Sequence, residues 1–305
     1  MWDFIGKFFE AVLDWIATFF DFIIEWIFAE LLVPNIFNNV TLGTSIYNGI
    51  IGDSIYMLTI NPSQWNAEGW NFIVTEVYPI FLMIACPLVV IFYLIGFCAE
   101  SIDPKMHGEV RLETILLGFF KLSIAEFVTV YALDIVCALF SFVDFLTGGW
   151  VGENAKISSE LEFALEEVSS LPGLALLGTY LTSLIYMVVL ILVACIILYK
   201  ASIRFFKILA LIPLGTLASA TIAGTRELNH TAMHFWKFVI SVILESVVML
   251  LMLALFARIQ NSFQVITLDG EIKMIGCFLN RILLAFLCLG SVNSASTLLQ
   301  KALGV

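Results

Sequence analysis

The run Leu174–Tyr199, LALLGTYLTSLIYMVVLILVACIILY, contains neither charge nor proline. At 1.5 Å per helical residue it is about 39 Å long, enough to cross a hydrocarbon core of about 30 Å with some tilt. Lipid offers no hydrogen-bond partners to an open backbone, so such a run crosses as a helix. Its flanks suggest a direction. Lys200, Arg204 and Lys207 follow it, whereas the preceding loop carries Glu153, Glu160, Glu162, Glu166 and Glu167 against Lys156. Lysine and arginine are retained on the cytoplasmic side, so the helix is expected to run from outside to inside.

The rest of the chain belongs to the same class. Hydrophobic residues make up 61% and charged residues 13%, where a soluble domain carries about a quarter charged. The expected fold is all-α, a polytopic membrane protein with about five transmembrane helices. A net charge of −11 argues against tight nucleic-acid binding, which needs clustered Lys and Arg. The six cysteines lie in apolar stretches without C-x-x-C spacing and read as small buried hydrophobes.

The first 33 residues fit neither a signal peptide nor a span. Asp3, Glu10, Asp14, Asp21 and Glu25, with Lys7 and Thr18, project at about 100° per residue onto a stripe about 80° wide. Aromatic and aliphatic residues fill the remaining circumference. As a span the segment would bury several carboxylates at about 2.5–3.5 kcal/mol each. An amphipathic helix with an acidic seam is expected instead, lying on the outer side because the cytoplasmic leaflet is anionic. The seam either orients an anchor or lines an aqueous passage or partner groove. Residues 34–69, rich in Asn, Gly, Ser and Thr, read as extracytoplasmic loop with short interfacial pieces.

Hydropathy places the spans at Phe72–Cys98, Leu122–Phe145 (within a helix from about Thr114 to Thr147), Leu174–Tyr199, Phe238–Ala257 and Met274–Leu299. The loop over 148–173 is acidic and includes an amphipathic helix, SSELEFALEEVSS. Ile208–Gly224, ILALIPLGTLASATIAG, is short, contains Pro213 and Gly215, and has basic residues at both ends. A full crossing would leave one basic cluster outside, so a re-entrant or interfacial segment over about 208–224 is expected. The resulting topology has the N-terminus outside and the C-terminus in the cytoplasm.

Ionisable residues within spans mark functional positions. Asp134, Glu245 and Arg281 are the candidates, with Arg281 expected to pair with Glu245 or Asp134; a proton or ion relay and a water-filled lumen are the alternatives. Lys200, Arg204, Lys207, Arg226 and Lys237 form an expected cytoplasmic docking face. Glu227, His230 and His234 have spacing suited to a helical metal site, yet beside Arg226 and Lys237 they read as a solvated or partner-docking surface. No phosphate loop, nucleophile elbow or zinc-protease motif occurs in the sequence, so the expectation is a non-catalytic chain with no metal or cofactor.

The segment YKASIRFFKILALIPLGTLASATIAGTRELNHTAMHFWKFVISVILESVVMLLMLALF runs from a basic-aromatic helix end, through a proline-containing small-residue stretch, to the helix start Phe235-Trp236-Lys237. With the amphipathic N-terminus, five spans and an acidic loop after the second, it resembles the TrbL-like polytopic subunit of conjugative type IV secretion systems, over about Phe72 to the C-terminus. The resemblance implies a channel or scaffold subunit, present in several copies, that helps move single-stranded DNA with its attached protein across the bacterial cytoplasmic membrane. Its implied partners are the lipid bilayer, a cytoplasmic ATPase, a bitopic scaffold protein and the DNA–protein substrate in transit. A small-solute secondary transporter and a non-transporting assembly factor are the competing classes. Transporters usually show two related halves, and no internal repeat is found here.

Overall fold

The computed structural model describes residues 14–16, 18–19, 28–101, 112–147, 168, 173–259, 262–263, 265–267 and 273–304. Most of the expected acidic seam (Asp3, Glu10, Asp21, Glu25) and of the amphipathic loop helix lies outside these residues. Of the seam, Asp14 is described; it is exposed and helical, and nearby Trp15 stacks on Phe19 at 5.5 Å.

All regular structure among the described residues is helical: α1 (Val33–Thr59), α2 (Pro62–Trp65), α3 (Ala67–Asn71), α4 (Tyr78–Ser101), α5 (Leu112–Val130), α6 (Ala132–Thr147), α7 (Gly173–Ala220), α8 (Arg226–Ile259) and α9 (Lys273–Leu303). Four stretches are long and apolar enough to cross a membrane: Ala67–Ala99, Ala175–Ala223, Arg226–Ile259 and Lys273–Leu303. Joining the bent pair α5–α6 would give a fifth. Large apolar side chains face outward along these helices, among them Met83, Phe120 and Phe286. Lipid is the solvent that suits such a surface.

The helices contribute to two compact units. In the first (Met1–Gly52, Asn154–Ile196, Leu255–Leu289) α1 lies parallel to α7. Asn39 Nδ2 donates to Ser183 Oγ at 3.3 Å, and a Cβ at Gly43 would meet the Met187 Cα at 3.1 Å. Residues 34–59 are therefore helix and not loop, while 60–69 keep the expected short pieces. Ile36, Val40, Gly43, Tyr47, Ile51, Ser54 and Leu58 recur every three or four positions and are all buried, a continuous seam on a helix whose other faces mix Asn, Thr and Ser with Phe37, Leu42 and Tyr56. Small residues at two seam positions allow close approach in a setting where packing rather than water exclusion drives association. Tyr186 packs against Phe278 of α9 at 5.5 Å.

Among the described residues, the α8–α9 connection is fastened by the Asn280 side chain. Asn280, 6% exposed, accepts from the backbone N–H groups of Val265 (3.1 Å) and Ile266 (2.8 Å) and donates to the Ile266 carbonyl at 2.8 Å. Asn280→Leu is expected to free these three backbone groups at a cost of about 1–3 kcal/mol. Amide exchange at Val265 and Ile266 should rise while that of α7 stays unchanged.

In the second unit (Asp53–Glu153, Ile197–Ala254, Gly290–Val305) the expected re-entrant segment is absent as a separate element. Residues 208–220 continue α7, which at 48 residues is about 72 Å long. Pro213 does not break it, and two hydroxyls back-bond within the following turn: Thr216 Oγ1 to the Pro213 carbonyl at 2.8 Å and Ser219 Oγ to that of Gly215. Serine and threonine side chains with close neighbouring helices make proline tolerable in membrane helices.

The break falls elsewhere. The second expected span divides at Tyr131 into α5 and α6, bent by 66°. No glycine or proline lies there. Instead the Tyr78 hydroxyl, on the first residue of α4, donates to the Val130 carbonyl at 3.0 Å; a side chain inserted at the carbonyl ladder is an established cause of kinks. Asp134 then sits exposed in the first turn of α6, where the helix N-terminus favours negative charge. Tyr78→Phe leaves the carbonyl without its donor, an expected loss of about 0.6–1.7 kcal/mol. Spin labels on either side of Tyr131 should report a straighter α5–α6.

Two apolar clusters hold this unit. Tyr78, Val136, Phe140, Ile208, Ile212, Val239 and Ile243 belong to one. The other is built from Val89, Ala125, Ala220 and Ala223, small enough that helices touch at backbone distance. At its edge a Cβ on Gly96 would lie 3.2 Å from the Gly224 carbonyl carbon and 3.3 Å from the Ala223 oxygen. The end of α4 thus lies on the turn between α7 and α8.

Candidate buried-charge site

α7 buries Ile197, Ala201, Phe205, Ile208 and Ile212, a helical stripe with apolar positions three and four apart. Arg204, three residues after Ala201 and four before Ile208, falls on its edge and turns inward, leaving 3% of its surface exposed. The sequence suggested that Arg204 shares an exposed face with Lys200 and Lys207; in the fold Lys207 is exposed, Lys200 is partly buried, and Arg204 is enclosed.

Its guanidinium joins three helices. Nε donates to the Val242 carbonyl at 3.2 Å and Nη2 to that of Ile243 at 3.4 Å, both on α8, while Nη1 donates to the Leu58 carbonyl at 3.4 Å in the last turn of α1. Helix-terminal carbonyls lack an intrahelical donor and carry partial negative charge, so a cation at Leu58 both caps α1 and complements its dipole. Phe140 of α6 adds a ring whose centroid lies 5.9 Å from the guanidinium carbon, within cation–π range. The planar fork suits this arrangement, since its donors point in fixed, divergent directions.

Glu245, one helical turn beyond Val242, is 6% exposed. The cations acting on it are Lys207, Arg204 and Lys200, so two of the five residues expected on the docking face contribute to its field besides Arg204. Arg204 and Glu245 are both buried, on adjacent helices, and Lys207 acts on the carboxylate more strongly than Arg204 does. Arg281 belongs to the first unit, where it faces the Tyr186 hydroxyl. Asp134 serves the start of α6, as described.

Near the α7–α8 turn, Trp236 Nε1 donates to Ser219 Oγ at 3.1 Å, and Phe235 lies 3.6 Å from where a Gly215 Cβ would stand. Arg226 and Lys237 are exposed. His230 and His234 are exposed with ring centroids 4.9 Å apart. Among the described residues no group of three or more His, Cys, Asp or Glu is placed to hold a metal ion.

Chemically, the arrangement holds charge in place. Every Arg204 nitrogen has an acceptor, and its contacts bind the end of α1 to the α7–α8 hairpin. Sequence reasoning placed Arg204 on the docking face because Lys200, Arg204 and Lys207 lie within one face of a helix; the available signal for its burial was the apolar stripe that brackets the arginine. Comparison with family models, curated proteins and solved structures yields no match for this chain.

Proposed function

We propose that the chain is a non-catalytic membrane subunit of a conjugative type IV secretion system, a TrbL-like channel or scaffold component that assists passage of single-stranded DNA with its attached protein. The observation that supports this best is how the resembling segment folds. Its basic-aromatic helix end supplies Arg204, its small-residue stretch supplies Ser219, and its helix start supplies Trp236; these residues make the contacts that close the α7–α8 hairpin. The residue classes that carry the resemblance are therefore the ones that shape the segment.

In this proposal the protein resides in the bacterial cytoplasmic membrane as a homo-oligomer, its outward apolar faces shared between lipid and neighbouring copies. The end where α4 meets the α7–α8 turn is cytoplasmic, because Lys105 and Arg111 follow α4 and Arg226 opens α8. α1, α7 and α9 then run inward, giving an outer N-terminus and a cytoplasmic C-terminus. Arg226 and Lys237, on the α8 side of that turn, remain as exposed cations for an ATPase partner. A bitopic scaffold subunit completes the assembly, and the net charge of −11 keeps the transported polyanion from adhering.

Deletion of the gene from a conjugative donor tests the proposal. Transfer should fall to background and return when the intact chain is supplied from a plasmid. Normal transfer by the deletion strain would refute it.

A further inference from the structure

A cavity of about 320 Å³ opens in the second unit beside the arginine site. Tyr56 of α1, Asn61 and Gln64 around α2, and Phe140, Ser141 and Asp144 of α6 contribute to its lining. Asp144 is the carboxylate among them, α1 ends here with its partial negative charge, and the carboxamides and hydroxyls supply further acceptors. Arg204, beside the cavity, has its donors already engaged. Its Nε, Nη1 and Nη2 donate to carbonyls, and its guanidinium rests on the Phe140 ring.

Size narrows the occupant. Bare divalent ions hold their ligands at about 2.0–2.6 Å, whereas about 300 Å³ is where small-molecule sites begin. Tyr56 and Phe140 add aromatic surface, which favours an organic cation. We propose that this cavity binds a primary-ammonium group of about the size of ethanolamine, as carried by phosphatidylethanolamine. Phe145 and Phe142 beside Asp144 are 81% and 52% exposed and offer apolar surface along which an acyl chain can lie.

The test uses the full chain in nanodiscs with equal phosphatidylethanolamine and phosphatidylglycerol, released into a native mass spectrometer. Phosphatidylethanolamine should be retained about tenfold over phosphatidylglycerol, the scale of one charge-assisted hydrogen bond. Asp144→Asn should abolish that preference, Asp144→Glu should keep it, and Gln64→Leu should weaken it without changing the melting temperature. Free ethanolamine separates the sources: competition with the lipid assigns recognition to the ammonium group, and ethanolamine binding without lipid retention assigns the cavity to a soluble amine. Equal retention of the two lipids with no ethanolamine binding would overturn the proposal, as would a preference that Asp144→Asn leaves intact.

Discussion

Arg204→Ala should destabilise the protein by about 1–3 kcal/mol, the cost of leaving a buried acceptor without its donor. The substitution takes the capping donor from the Leu58 carbonyl, the added donors from Val242 and Ile243, and the guanidinium from the Phe140 ring. Glu245 would keep Lys207 and Lys200 as its neighbouring cations. Arg204→Lys should fall between Ala and the native residue, because an ammonium is a compact charge that cannot copy a planar fork. Thermal unfolding in detergent gives the order Arg above Lys above Ala. In a double-mutant cycle with Glu245→Gln, the coupling should be about 0.5–3 kcal/mol. Equal melting temperatures for the three proteins would show that the clasp contributes nothing.

Gly96→Leu is the second large effect. All three atoms nearest a Cβ at this position are backbone: the Gly224 carbonyl carbon at 3.2 Å and the Ala223 and Gly224 oxygens at 3.3 Å. No side chain can swing aside, so α4 must move off the α7–α8 turn and the small-residue cluster of Val89, Ala125, Ala220 and Ala223 opens with it. Overpacking of this kind costs about 1–3 kcal/mol, and immobile backbone places Gly96→Leu at the upper end. Gly96→Ala should cost much less, a displacement of a few tenths of an ångström being enough. The comparison is read from detergent melting temperatures; similar values for Ala and Leu would mean that the approach of α4 to the turn is loose.

The class of fold was legible because it rests on long apolar runs: Leu174–Tyr199 falls within α7, and Glu245 falls inside a span as its position suggested. Three features were hidden for separate physical reasons. α1 carries its apolar seam on one narrow face, and the Asn, Gly and Thr residues on its other faces have the composition of a loop. α7 continues through Pro213, a residue that ends most soluble helices and so reads in sequence as a break. The bend at Tyr131 has no local signal, since its partner Tyr78 lies 52 residues away in sequence. At the charge site, Glu245 was visible as an acid in an apolar run, whereas Arg204 was masked by the two lysines near it. Its acceptors, three backbone carbonyls, have no sequence signature.

The account turns on α1 lying along α7 and ending on Arg204, where the Met57 sulfur and the Ser202 hydroxyl are 3.4 Å apart. Replacing both with cysteine, in a chain whose six native cysteines are changed to alanine, tests that packing in the cell membrane. A methionine reaches further than a cysteine and a direct disulfide needs Cβ atoms about 3.5–4.5 Å apart, so a short bifunctional thiol reagent is used to bridge the pair. Rapid, nearly complete cross-linking within one chain is the predicted result, with a marked loss in Arg204→Ala. Failure to cross-link, while each single cysteine reacts freely with a thiol reagent, would contradict the account.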